Sequence, residues 1–319
     1  MESGWRKPGT KIGSPPKLIS ASFRLTIAMY QQVVNLLFNY PEPINVALAG
    51  NMAAALLFCV ISFGMDNTSM FDQYWAMAPV PIAFYYAFNE TVSFSLSGSR
   101  KIMALAAVTV WAVRLFSLFF LKDERPDDSG GKLAYGAQHE DARYKAFRKQ
   151  FGIFYWPYSF VFLHLFPALM LHWGTLPLYY AISAPNPSPV TFWDYLAFAF
   201  TIGAVIWEAT ADQQLMDFMV RKKTDKTLTI CKDGLWSWSR HPNYFGEFSF
   251  WLGLWFLGVA ASGTEALWTG VGALSVFGLF VGYSVPFMEE RMKRYPEWSA
   301  YTKSTSAFIP FPPIAAKTE

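Results

Sequence analysis

The chain has 319 residues, of which 53% are apolar, 18% aromatic and only 15% charged, with a formal net charge of +3. A soluble domain carries about 25% charged residues, so this composition excludes an ordinary water-soluble globule and points to a protein of the bilayer. The small, dispersed positive charge leaves no footprint for a nucleic-acid partner. Cys59 in an apolar run and Cys231 in a polar loop form neither a CxxC metal motif nor a disulfide framework, which suggests a reducing compartment for the water-facing parts.

Residues 1–43 form a basic N-terminal segment (Arg6, Lys7, Lys11, Lys17) with a possible first membrane helix at 21–39. No small-residue cleavage site follows the basic residues, so the segment does not read as a removable signal peptide. Arg24, Gln31 and Gln32 make the 21–39 stretch more polar than the later ones, and it either spans or lies in the interface with its apolar face down. Residues 44–319 are expected to be a single membrane domain. About 20 predominantly apolar residues are needed to cross the hydrocarbon core, and seven stretches qualify: 44–64, 74–97, 101–121, 154–174, 192–211, 245–262 and 265–287. The predicted fold is therefore all-α, a polytopic membrane helix bundle with about 7–8 transmembrane helices. Seven basic residues fall in 122–153, read as a solvated loop, five in 212–234 and five from 288 onward, whereas 175–191 and 262–264 hold none. Basic loops stay in the cytosol, which places those three segments on one side.

The densest polar run is Trp238-Ser239-Arg240-His241-Pro242-Asn243-Tyr244-Phe245-Gly246-Glu247, which leads into an apolar helix. Pro242 suits a first helical position and keeps His241 out of helical geometry. Asn243 and Glu247 are then one turn apart on the same face, and a carboxylate one turn into a span needs a partner or a polar cavity. Pairing of Glu247 with a neighbouring helix is the structural alternative to a ligand site. Glu208 and Asp212 share a face of the preceding helix, and their like charges require a cation or donor between them. Arg240 and Arg114, the latter a lone charge inside an apolar span, are the candidates. Residues 288–295 read as an amphipathic helix with a solvated charged face. His164 and His172 read as core or interface histidines. No HExxH, Walker loop or GxGxxG is present, and no metal site is expected.

Gly234-Leu235-Trp236, Ser239-Arg240-His241-Pro242-Asn243-Tyr244, Gly246-Glu247, Glu289-Glu290 and Tyr301 together resemble the steroid 5α-reductase C-terminal-type family. Asp72-x-x-Trp75-x-x-x-Pro79, Trp111-x-x-Arg114-Leu115, Asp141-x-Arg143-Tyr144 and Trp207-Glu208 with Asp212-x-Gln214 fit its uncharacterised membrane branch. The match covers about 70–313. The resemblance implies an endoplasmic reticulum bundle that binds NADPH between its C-terminal helices and cytosolic loops, at about 205–313, and reduces a carbon–carbon double bond in a lipophilic substrate that enters from the membrane lipids. Carried over, Asn243 holds the nicotinamide amide with Glu247 behind it, and Asp212 contacts the cofactor from the neighbouring helix. Arg240, Arg291 and Tyr301 meet phosphates and ribose, and His241 and Tyr244 complete the cofactor-binding motif. A proton donor is also required, for which Glu90 with Tyr85 or Tyr86 is the candidate by type and position. Isoprenylcysteine carboxyl methyltransferases show a similar Arg-His-Pro-x-Tyr-x-Gly run, so an S-adenosylmethionine-dependent membrane methyltransferase is the rival reading. A non-catalytic lipid-binding protein is the third.

Overall fold

A computed structural model describes residues 42–88, 98–122, 140–183 and 188–313. By internal packing the chain divides into Met1–Asn45 and Val46–Glu319. Of the first unit only residues 42–45 are described, as the opening turn of a helix. The 21–39 stretch and Glu90 lie outside the described residues.

Among the described residues all regular elements are helical: α1 (Glu42–Gly64), α2 (Met70–Met77), α3 (Pro79–Phe88), α4 (Ser99–Lys122), α5 (Ala142–Phe151), α6 (Tyr155–Tyr158), α7 (Phe166–Ile182), α8 (Phe192–Thr224), α9 (Pro242–Ser262), α10 (Val271–Leu279), α11 (Val285–Met292) and α12 (Trp298–Ser304). Among the described residues four runs are long and apolar enough to cross a membrane: Glu42–Gly64, Ser99–Leu118, Arg143–Ile182 and Pro242–Met292. The last contains 51 residues, which at about 1.5 Å per residue is more than twice a hydrocarbon core of roughly 30 Å. It turns at Gly263, whose φ of +57° suits glycine. Leu57, Val60 and Phe63 on α1, Val113 on α4, Phe192 and Trp193 on α8 and Leu274 on α10 are exposed, as expected of surfaces solvated by lipid.

Four sequence expectations are corrected. The 74–97 stretch is not one helix: helix begins at Met70 and is interrupted at Ala78, where Pro79 and Pro81 withhold two amide donors. Residues 142–151, read as loop, form α5, whose N-cap Asp141 accepts the Arg143 N–H at 2.8 Å. The helix predicted at 154–174 continues to Ile182 through a π-helical segment, Ser159–Leu165. α8 outruns its apolar stretch by 13 residues, to Thr224. Its polar extension still buries Phe218 against Cys231 and Trp236, so packing carries the helix beyond the point where hydropathy falls.

The centre of the bundle is the antiparallel pair α8–α9. A Cβ added at Gly246 would lie 2.6 Å from the Glu208 Cβ, and one at Gly253 would lie 2.3 Å from the Thr201 Oγ1. The two glycines are two turns apart, as are their partners, so the backbones touch along a glycine seam of the kind membrane helices use. α7 packs on another face of α9, with Gly174 against Trp251 and Gly258 against Pro177. At the end of the bundle where α4 and α8 start, buried Arg100 pairs with Asp194 at 2.5 Å and donates to the Ser188 and Pro189 carbonyls at 2.8 and 3.1 Å.

Candidate functional site

The polar motif sits at the opposite end, where α9 begins. His241 is the N-cap in a non-helical conformation and Pro242 the first helical residue, as the proline predicts. Asn243, half-buried, donates from Nδ2 to Asp212 Oδ1 at 3.2 Å. Asp212 Oδ2 accepts from Arg114 Nη2, and Arg114 Nη1 lies 2.6 Å from Glu208 Oε1. The cation between Glu208 and Asp212 is thus Arg114 from α4. Arg240 is engaged elsewhere.

Glu247, one turn beyond Asn243, is buried. Its Oε1 accepts from the indole N–H of Trp75 at 3.1 Å and of Trp251 at 3.0 Å, and its Oε2 accepts from Trp111 at 2.7 Å. The three indoles come from α2, α4 and α9. Trp111 also stacks on Phe250, with ring centroids 4.7 Å apart, and meets Trp251 edge-on. One carboxylate therefore ties three helices together through neutral donors, and Arg114 faces it along with Glu208 and Asp212. The sequence quoted Trp75 and Trp111 as motif residues without a partner. Only Trp251, at i+4 from Glu247, had a spacing that could have revealed its bond.

The other predicted site residues fall into two neighbourhoods. Tyr244 stacks between His241 and Phe280, at 5.4 and 4.8 Å, and the charges of Arg143, Asp141, Asp212 and Arg291 bear on it. Arg143 bridges Asp72 at 3.0 Å and Asp141 at 2.9 Å, while the Tyr144 hydroxyl donates to Asp72. Arg291 is exposed beside the Phe287 ring. Arg240 points into the C-terminal segment: it pairs with Glu289 at 2.6 Å and donates to the Thr302 and Thr305 carbonyls. His241 Nε2 lies 3.6 Å from the same Glu289 oxygen. The Tyr301 hydroxyl, its pKa raised by burial, donates to the Trp236 carbonyl at 2.5 Å. Burial pushes the Cys231 thiol up to about 12, which leaves it protonated and unsuited to attack.

Tyr86 on α3 is fully buried against Tyr179, and its hydroxyl has no partner among the described residues. His164 is a core histidine: Nδ1 donates to the Ser159 carbonyl at 2.9 Å, so Nε2 is left to accept from Ser62 at 3.1 Å. His172 is buried with neither ring nitrogen paired among the described residues.

Long apolar helices, outward-facing apolar side chains and charges closed into the interior define an integral membrane protein of the helical-bundle class. Within that class the chain belongs to the family described as "protein of unknown function (DUF1295)", which matches residues 58–305. It is similar to the uncharacterized protein C594.04c of Schizosaccharomyces pombe, with 26% identity over 268 residues that cover 78% of this chain and 74% of the relative. No solved structure matches.

Proposed function

We propose that the protein is a membrane-embedded, NADPH-dependent reductase of a carbon–carbon double bond in a lipophilic sterol, enone or other lipid. In this reading it crosses the endoplasmic reticulum membrane seven or eight times and its cofactor site faces the cytosol. The observation that carries the reading is the Asn243 side chain. Asp212 fixes its Nδ2, so the amide orientation is set, and its carbonyl oxygen accepts no hydrogen bond among the described residues. An oriented amide edge at a half-buried position is complementary to a carboxamide, which offers the same donor and acceptor in reverse.

The residues present fit a nicotinamide cofactor on two further counts. Arg291 forms no ion pair among the described residues and is exposed, which suits a phosphate. The Glu208 Oε2 atom is buried and unpartnered beside the amide's own partner, Asp212. When bound, a reduced nicotinamide supplies a hydride. The chain's own residues do the rest. Asp212 orients Asn243, Asn243 orients the ring, and the Glu247–indole cluster closes the floor against water. Arg240 and Tyr301, whose donors are engaged within the chain, shape the C-terminal wall. Tyr86, the proton-donor candidate read from the sequence, lies towards the other end of the bundle, where its carbonyl accepts from Ser183 after α7 and the Ala87 carbonyl accepts from Lys101 at the start of α4, so in this reading the proton comes from another group.

The test is a titration of the detergent-solubilised protein with NADPH, followed by tryptophan fluorescence and melting temperature. Asn243→Ala should weaken binding about 10–100-fold, the range that loss of a hydrogen bond leaving its partner unsatisfied produces. Stabilisation by S-adenosylmethionine with no response to NADPH would replace this reading with methyl transfer. One observation favours that rival: the carboxyl cluster would also accept a sulfonium.

A further inference from the structure

The chain beyond α12 is tied to the start of α9. The Arg240 N–H donates to the Ser306 carbonyl at 2.9 Å, the Phe311 N–H to the Trp238 carbonyl at 3.0 Å, and the Ser239 hydroxyl to the Phe308 carbonyl at 2.9 Å. Residues 305–313 thus form a strap on the membrane-spanning hairpin. The Phe308 ring is buried against Phe245 and Phe248, within two turns of the start of α9, and against Phe277 of α10, with centroids at 6.0, 6.0 and 5.6 Å. Leu274, one turn before Phe277, is exposed, and so is Ile206, beside the Trp207 that meets Phe245 edge-on. The strap therefore sits level with surfaces that lipid solvates. Phe308 faces inward, while Ile309 and Phe311 are 52% and 58% exposed, alongside the exposed Trp238. The backbone suits the same place. Pro310, Pro312 and Pro313 carry no N–H, the Phe311 N–H is bonded, and the Ile309 carbonyl accepts from the Ser306 hydroxyl. An irregular segment is tolerated near hydrocarbon only when its polar groups are satisfied in this way.

The strap also walls a cavity of about 330 Å³. One side is polar, made of Arg240, Lys303 and the hydroxyl residues of 302–306, and the other is Phe311 and Pro312. Arg240 is bonded to Glu289 and to the Thr302 and Thr305 carbonyls. Lys303 is exposed and forms no ion pair among the described residues, so it is the cation that the cavity offers a ligand. We propose that strap and cavity together seat a phospholipid of the adjacent leaflet, its acyl chains against Ile309 and Phe311 and its phosphate against Lys303. A ligand with an anion at one end and hydrocarbon at the other matches a cavity that is cationic on one wall and apolar on the next, at the depth where headgroup meets acyl chain. Through the bonds of the strap to residues 238–240, the seated lipid holds the entry of α9 in register with the membrane surface. This assignment is independent of which cofactor the protein takes.

The test places the full chain in phosphatidylcholine vesicles with a thiol-linked fluorophore at Phe311→Cys. Cys59 is replaced by serine, and Cys231 is buried. The quenchers are aqueous iodide and trace nitroxide-labelled phosphatidylglycerol or phosphatidylcholine, at fixed ionic strength. The lipid nitroxides should quench and iodide should not, with phosphatidylglycerol the more effective lipid. Lys303→Gln should reduce that preference about fivefold, the factor that one lysine contributes at an anionic membrane surface. Ile309→Cys, labelled in the same way, replaces Phe311→Cys should that variant not be recovered. Quenching by iodide with no effect of the lipid nitroxides would overturn the inference, since the strap would then face water. Equal action of the two lipids on the protein that keeps Lys303, or a preference unchanged in Lys303→Gln, would also overturn it. So would loss of the preference on adding inorganic phosphate or NADPH, which would assign the cavity to a free anion or to the cofactor.

Discussion

Glu247 accepts three indole N–H bonds, and each of those donors would be left in the protein interior if the carboxylate were removed. Glu247→Leu should therefore destabilise the protein by about 3–5 kcal/mol, the range seen when one side of a buried charged contact is removed. Trp251→Phe, which removes one donor and keeps most of the ring, should cost about 1–3 kcal/mol. Thermal unfolding in detergent measures both, and equal losses in the two variants would contradict the shared-carboxylate geometry. The need for a partner at Glu247 was legible from its depth in an apolar run, but the identity of the partners was not, because Trp75 and Trp111 are distant in sequence and their aromatic rings read equally well as interface anchors. Arg114 was legible for the opposite reason. A lone arginine in a span and an i,i+4 carboxylate pair without a cation are complementary deficits, and the structure joins them. Arg240 had the same formal charge but begins two residues outside α9, where Glu289 is the nearer carboxylate.

The α8–α9 seam depends on two glycines spaced at two turns. Gly253→Ala would place a methyl against both the side chain and the Cα of Thr201, so the helices must separate. A loss of about 1–3 kcal/mol is expected for such overpacking. Thr201→Ala should recover only part of it in a double-mutant cycle, since the backbone contact at 2.9 Å remains. The Arg100–Asp194 pair secures the far end of the same helix. Arg100→Ala leaves Asp194 buried without its cation and should cost about 3–5 kcal/mol. Helix positions were legible from hydropathy wherever lipid or core covered the whole segment, as at α1 and α9. Helix ends were not. The α8 extension buries one face on a loop folded back from Gly234, and α5 is started by the Asp141 cap. Neither device changes the average hydropathy of the segment.

Across the whole molecule the basic segments predict sidedness, and cysteine labelling can read it. Cys231 is buried and held as the thiol, so it gives little background with alkylating reagents at neutral pH. Lys226→Cys should react with a membrane-impermeant maleimide from the cytosolic side of microsomes, and Thr264→Cys only after the membrane is opened. Labelling of both from one side would mean that Pro242–Met292 does not cross twice. The Arg114 cluster carries a further consequence for how the protein is made. Arg114 leaves the ribosome about 90 residues before Glu208, an interval of roughly 5–20 s at usual translation rates. Throughout that interval the nascent α4 carries a cation whose carboxylate partners on α8 have not been made, a cost of about 2.5–3.5 kcal/mol at the centre of a span that is recovered only when α8 arrives.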